Sequence, residues 1–475
     1  MNTTINTRYV FFLGLTVALG GLLFGFDVAI ITGAGPYLSE YFKLGEFGMG
    51  IAFSSLLFGC ALGALVAGVL ADRLGRRVPL LWVAVLFALT SLGSGLASNF
   101  NMFLLTRFLG GVAVGGVSIL APMYVAEVSP PSMRGRMCAC YQWAIVTGLL
   151  CSFSLNYLLR NVEPWAWFNI AVYDLGPWNW RWMLISGIVP SAVFYVLLMG
   201  APETPRYLFK SGHEQAASAL LKKILGPAEA EFELNEIRES LAAPPVTWKE
   251  LKKPGLRRPL MIGFFLAILV HFSGVNTIVD YAPVIFKSAG FKMDAALFST
   301  FGIGICFFLA TMVSLWAIDR FGRKPLYLIG SVGMCLILSL LALAVVTGKF
   351  QGTLVLVLIL VYIALFAACI GPVFWTLVPE IFPNRVRGEA MIVPVLVQWI
   401  ANAVVVLFFP WAFHKFGRDW TFWFLAAMSL AQALFFWRFV PETKGRTLEE
   451  IENLWSANGT DTAVPIVRSI KDDIT

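Results

Sequence analysis

The chain has 475 residues, of which 58% are hydrophobic and 13% charged, with a mean hydropathy of +0.77. A soluble domain carries about 25% charged residues, so the apolar surplus has to face lipid and a water-soluble fold is excluded. The net charge of +7 does not imply nucleic acid, because in a membrane protein basic residues mostly set orientation.

About twelve apolar stretches follow one another, each near the roughly 20 residues that a spanning helix needs. They are read at 9–32, 47–71, 78–97, 102–126, 137–159, 180–200, 259–286, 295–318, 325–347, 353–378, 390–413 and 419–440. The first starts within ten residues of Met1 and lacks a small-residue cleavage site, so it is read as retained and not as a removed signal peptide. It carries Asp27 in "LGGLLFGFDVAIITG". A carboxylate in hydrocarbon is costly, and such residues usually face a polar interior and mark an ion or substrate path. Cys60, Cys138, Cys140, Cys151, Cys306, Cys335 and Cys369 lie mostly inside these spans. Their spacing suggests neither a metal site nor a disulfide framework, and they are expected to be buried small hydrophobes. No cofactor is expected.

One long polar segment, 203–258, splits the spans six and six. Its "HEQAASALLKKILG" and "EFELNEIRESL" have helical apolar spacing with charged faces, which predicts short amphipathic helices. The predicted organisation is a six-helix unit over 1–202, a cytoplasmic helical linker over 203–258, a second six-helix unit over 259–445 and a cytoplasmic tail over 446–475. The two units repeat each other. "GVLADRLGRRVPL" matches "SLWAIDRFGRKPL", "PMYVAEVSPPSMRGR" matches "TLVPEIFPNRVRGE", and "APETPRYL" matches "VPETKGRTL". This argues for duplication, with the units related by an axis along the membrane normal; transporters built in this way bind substrate near the midplane between the halves.

The basic connections and the 203–258 segment fall on one side, which the positive-inside tendency makes cytoplasmic together with both termini. The opposite loops are poorer in basic residues, although Arg160, Lys287, Lys292, Lys415 and Arg418 lie there. The Trp-rich loop over 162–183 is then external, as an interfacial aromatic belt or, alternatively, a carbohydrate entrance. At the cytoplasmic helix ends, Asp72, Arg73, Arg76 and Arg77 recur as Asp319, Arg320, Arg323 and Lys324, and Glu127 and Arg134 recur as Glu380 and Arg387. Carboxylates and guanidiniums so placed form bidentate, charge-assisted contacts. They either hold the halves shut on that side as a gate or simply anchor the loops.

These motifs, with "GLLFGFD", "GVNTIVDYAP" and "GPVFWTLVPEIFP", resemble the sugar porter family of the major facilitator superfamily over about residues 10–455. The resemblance implies an all-α membrane protein: twelve transmembrane helices in two six-helix bundles, short cytoplasmic helices and alternating access. It further implies that Asp27, as in proton-coupled members, is the proton-coupling acid and that Arg107 on the fourth span is its partner. Burial raises a carboxylate's pKa and a guanidinium lowers it, so a movable arginine could switch the acid; the alternative is a static buried ion pair. By the same resemblance Phe24, Gln142, Asn276, Trp375 and Gln398 would contact the sugar, with Trp399 and Asn402 nearby. Amides in spans can instead join helices by hydrogen bonds.

Two departures stand out. Val270 and His271 occupy positions where the family usually has two glutamines, and Asp280 replaces a tyrosine. Lost hydroxyl partners predict altered specificity: a different sugar, a polyol or a modified carbohydrate. His271 is expected to line the substrate site and Asp280 to lie in the substrate cavity near its outer part; either is a second proton site or a solvated cavity residue, and on a regular helix they would not pair. Pro283, Gly371–Pro372 and Pro394 are expected to interrupt or bend their helices, whereas glycines in 109–118 allow close helix approach.

The expected function is proton-coupled symport of a monosaccharide or polyol by a multi-pass protein of the plasma (inner) membrane. Its partners are the sugar or polyol, the proton and the bilayer, without nucleic acid. No enzyme motif is seen. A passive facilitator is the first alternative. A nutrient sensor on a transporter scaffold is the second, and the tail of about thirty residues after Gly445 argues against it.

Overall fold

A computed structural model describes residues 6–160, 179–242, 250, 254–382 and 386–444, except for the side chains of Pro131, Ser132, Arg134, Ala228, Ala242, Pro254, Gly255, Leu315 and Asp319. The expected external loop therefore lies largely outside the described residues, as do the C-terminal tail and parts of the linker. The chain is helical. The first half contains α1 (Thr7–Tyr41), α2 (Glu46–Leu74), α3 (Arg77–Gly95), α4 (Phe100–Val128), α5 (Pro131–Leu159), α6 (Asn179–Ile185) and α7 (Ile188–Met199). Three short helices follow: α8 (Pro205–Lys210), α9 (Glu214–Leu225) and α10 (Pro227–Ala242). The second half contains α11 (Pro254–Phe272), α12 (Val275–Asp280), α13 (Ala282–Ser288), α14 (Met293–Phe321), α15 (Arg323–Val346), α16 (Gly352–Cys369), α17 (Gly371–Glu380), α18 (Arg387–Lys415) and α19 (Arg418–Phe439). Among the described residues, twelve helical stretches are long and apolar enough to cross a membrane.

Local chemistry sets the ends. Asn6 and Asn99 cap α1 and α4, their side chains accepting from Tyr9 N and Met102 N at 3.2 and 2.9 Å. The D-R-x-G-R motif ends α2 and α14 at Gly75 and Gly322, which take φ of 83° and 87°; a residue with a Cβ is strained in that backbone region. α1 runs nine residues past the predicted end at Thr32, through Pro36, because its polar continuation stays helical beyond the apolar run.

Within the first bundle α1 crosses α5 and α2 crosses α4. At both crossings glycines face backbone: a Cβ on Gly25 would overlap Ile145 O, and one on Gly111 would overlap Leu56 O. The 109–118 glycines thus do allow close approach. In the second bundle α15 packs on α19, α11 on α18 and α14 on α16. The bundles meet where α2 packs on α18, α5 on α14, and α1 on α12 and α13. The predicted amphipathic helices are α9 and α10. α9 docks on the start of α1, with Asn6 N donating to Ile224 O at 3.0 Å and Lys223 Nζ 3.8 Å from the Tyr9 ring centroid.

The seventh span is not one helix. It breaks at Ser273–Gly274, where Gly274 has φ 89°, and again at Tyr281. Tyr362 Oη donates to the Ser273 carbonyl at the first break, at 2.8 Å, which satisfies an acceptor the helix leaves open. The tenth span breaks before Gly371–Pro372, but α18 runs on through Pro394. Cys60 and Cys369 are buried as expected, whereas Cys138 and Cys151 are exposed on α5. The expectation of burial fails for those two, whose side chains are exposed among the described residues.

Candidate functional site

Asp27 and Arg107 are brought together by the packing of α1 on α4. Arg107 Nη1 donates to Asp27 Oδ1 at 3.0 Å, and Nη2 donates to the Asp27 main-chain carbonyl at 3.2 Å. Both residues are buried, with Asp27 8% and Arg107 2% exposed. Asp27 Oδ2 and Arg107 Nε find no partner among the described residues. Gly110 leaves room beside that free oxygen, since a Cβ there would lie 3.5 Å from Oδ2. The pair is neutral as it stands. Protonating Asp27 would strand the guanidinium, and an uncompensated buried charge costs about 3–5 kcal/mol.

The other predicted residues lie on α1, α5, α11, α12, α17 and α18. The Phe24 ring on α1 meets Trp399 on α18, centroids 5.7 Å apart, so this contact joins the bundles. Gln398 and Asn402 are buried one helical turn apart on α18, and Trp399 Nε1 has no partner among the described residues. Across the break after α11, Asn276 Nδ2 lies 3.3 Å from His271 Nδ1. Trp375 on α17 is 39% exposed and packs edge-on against Phe374. Gln142 is half-buried on α5, and Asp280 is buried on α12. No hydrogen bond among the described residues links Gln142, Asp280, Trp375, Gln398 and Asn402 to one another. Since the helix breaks at Gly274, His271 and Asp280 do not share a regular helix.

At the basic-loop end the three repeated motifs converge, once in each bundle. Arg76 Nε and Nη2 donate to Glu127 Oε1 at 3.2 and 2.7 Å, and Arg323 Nη2 donates to Glu380 Oε1 at 2.8 Å. Thr204 and Thr443 each donate to the other oxygen of those glutamates at 2.6 Å. Glu203 accepts from Arg76 N and Arg77 N, both at 3.0 Å, and Glu442 accepts from Arg323 N and Lys324 N at 3.1 and 2.9 Å. Burial pushes the Glu442 carboxyl up, but the backbone N–H groups of Lys444, Lys324, Arg323 and Thr443 outweigh it and hold it below the usual carboxylate range. Glu203 and Glu442 cap α3 and α15, a role the sequence analysis missed; the P-E-T repeated in both halves was its signal.

Arg77 donates to the Met199 carbonyl at 2.6 Å, Asp72 accepts from Lys210 at 3.1 Å, and the Arg73 carbonyl accepts from Tyr207 Oη at 2.8 Å. The Arg320 carbonyl accepts from Lys444 Nζ at 2.8 Å, and Arg387 Nε and Nη2 are buried without a partner among the described residues. The side chains of Arg134 and Asp319 lie outside the described residues. In this structure the Arg76–Glu127 and Arg323–Glu380 pairs each tie helices within a single bundle. The aromatic contacts described between bundles lie midway along the helices or on the opposite side. There, Phe53, Tyr281 and Phe409 form a stacked series with centroid spacings of 4.6 and 5.4 Å.

A family model described as "Sugar (and other) transporter" matches residues 13–455. The chain is 36% identical to the D-xylose-proton symporter of Escherichia coli, over 96% of this chain and 97% of that one. It is 35% identical to the arabinose-proton symporter of Bacillus subtilis, over 94% and 95%. The structure aligns with the inward-open conformation of the E. coli xylose transporter XylE at a TM-score of 0.81 and 34% identity, over 94% of this chain and all of that one.

Proposed function

Since the chain belongs to the sugar transporter family, we propose that it is a proton-coupled symporter for a monosaccharide or related polyol. It would sit in the plasma membrane with the basic loops and both termini in the cytoplasm. The observation that carries the coupling is the buried Asp27–Arg107 pair with one carboxylate oxygen unpartnered. The resemblance to two proton symporters supports the same reading.

In this reading a proton taken up at Asp27 frees Arg107, and the bundles rock while the charge is being compensated. Gln142, His271, Asn276, Trp375 and Gln398 line the sugar site: amides and imidazole bond hydroxyls, and the exposed Trp375 face covers the sugar's C–H surface. The capped motif clusters hold each bundle rigid on the cytoplasmic side as it tilts, and Arg387, whose Nε and Nη2 have no partner among the described residues, takes a carboxylate of the other bundle when that side closes. The test is uptake of radiolabelled pentoses, hexoses and inositols into proteoliposomes under an acid-outside gradient. The intact protein should concentrate its substrate above equilibrium, and Asp27→Asn should only equilibrate it. Undiminished accumulation by Asp27→Asn would refute the proposal.

A further inference from the structure

We propose that a single water, bound in the gap at Gly110 between Asp27 and Thr90, is the group through which Asp27 takes up its proton. Three helices of the first bundle frame the gap. Asp27 lies on α1, Thr90 on α3 and Gly110 on α4, and α4 packs on both of the others. A methyl group on Gly110 would have Thr90 Oγ1 at 3.3 Å and Asp27 Oδ2 at 3.5 Å as its nearest contacts. Both oxygens therefore lie within 3.5 Å of one point, close enough for one water to bond to both.

Helix packing does not explain this glycine as it explains its neighbours. A Cβ on Gly111 or Gly115 would overlap a backbone carbonyl of α2, Leu56 O at 1.9 Å or Cys60 O at 2.0 Å. The three nearest contacts of a Cβ on Gly110 are all side-chain atoms, at 3.3 to 3.6 Å. What the missing side chain leaves at Gly110 is room beside two polar oxygens, not a close approach of backbones.

The hydrogen-bond count fits a water. Asp27 Oδ2 is occluded and has no partner among the described residues, and a buried carboxylate oxygen left without a donor is costly. The Thr90 hydroxyl spends its proton on Leu86 O at 2.8 Å or Phe87 O at 3.2 Å, so its oxygen is left as an acceptor. The two O–H groups of one water meet these two needs. Its lone pairs are left for the Arg107 Nε–H, which also lacks a partner among the described residues; Arg107 stands three residues before Gly110, on the same face of α4. Three bonds are the usual number for a buried water. Asp27, Thr90 and Arg107 are 8%, 6% and 2% exposed, so bulk solvent does not supply these bonds. When a proton from solution reaches this water, one O–H bond of the resulting hydronium breaks. A lone pair of Asp27 Oδ2 forms the new O–H bond, and a neutral water stays behind. The transport role rests on the symport reading above; the water site does not.

The test begins with crystal structures of the full chain that resolve ordered water. The intact protein should hold a water within about 3.2 Å of both Asp27 Oδ2 and Thr90 Oγ1, and Gly110→Ala should lose it. An intact protein without that water, or a water that stays in Gly110→Ala, overturns the proposal. In proteoliposomes Thr90→Val, which keeps the shape and removes the acceptor, should slow gradient-driven accumulation about tenfold relative to counterflow exchange, the worth of one hydrogen bond to a charged group. Thr90→Ser should restore the ratio. If Gly110→Ala does not fold, the Thr90 pair decides. An unchanged ratio in Thr90→Val, or one that Thr90→Ser fails to restore, overturns the proton role and leaves symport standing. Failure of the intact protein to accumulate removes symport and leaves the crystal structures to decide the water site.

Discussion

Arg160 at the end of α5 and Asp294 at the start of α14 form an ion pair of 2.8 Å that joins the two bundles on the side away from the basic loops. The guanidinium also lies 3.8 Å from the Tyr157 ring centroid, and Tyr157 meets Phe298 on α14. Asp294 is two-thirds exposed, so the pair is worth about 0.2–1 kcal/mol. Asp294→Asn should therefore shift the population toward opening on that side by about 1.5- to 5-fold, and high salt should abolish the difference. The labelling rate of Ser39→Cys, in the cleft that Tyr281 and Phe409 help to line, measures the shift. An unchanged rate at low salt would remove this pair from the closure.

Arg107→Ala leaves the Asp27 carboxylate buried without its partner. Thermal unfolding in detergent should show a loss of about 3–5 kcal/mol, and the double variant Arg107→Ala, Asp27→Asn should recover most of it. No recovery would mean that lost packing, not stranded charge, sets the cost.

Gly25→Ala places a methyl group against Ile145 O, where the α1 and α5 backbones meet, whereas the space around Gly68 is open. The first should lower stability by about 1–3 kcal/mol through overpacking, while Gly68→Ala should leave the melting temperature unchanged or slightly higher. Equal effects would show that the α1–α5 approach is not rigid.

Because Glu442 is held below its ordinary carboxylate range, its contribution to stability is fully present above about pH 4.3, the value in an unfolded chain. That contribution is lost as pH falls through the lower folded value. Glu442→Gln should therefore melt earlier than the intact protein near neutrality, and the gap should close in the acid range. A constant gap across that range would contradict the ionised cap.

Val270→Gln with His271→Gln restores two amides beside Asn276, one of them in place of a buried side chain that cannot bond a hydroxyl. The order of preferred substrates in the proteoliposome panel should change. The same order with both variants would remove these positions from specificity.

The fold was legible because hydrocarbon imposes a local rule: each span must be long, apolar and internally hydrogen-bonded, so the twelve spans, the duplication and the linker helices could be read directly from the chain. The acid and its arginine partner were legible only through the resemblance, for Asp27 and Arg107 are 80 residues apart and nothing local links them. Less could be read where the backbone departs from regular helix. A glycine in a polar stretch did not announce the break at Gly274, which separates His271 from Asp280, because whether a helix continues through glycine depends on what neighbouring helices offer its freed carbonyl, here Tyr362.

What the sequence determined by itself was the number of spans, their pairing by repeat and the chemical types available inside the membrane, since these follow from composition and periodicity along one chain. Tertiary structure alone decided which charges face each other: the Arg76–Glu127 and Arg323–Glu380 pairs fall within bundles, and Arg107 is paired with Asp27. The reason is that helix rotation and tilt are set by close packing at sites such as Gly25 and Gly111, and a turn of a few tens of degrees moves a side chain from lipid to cavity.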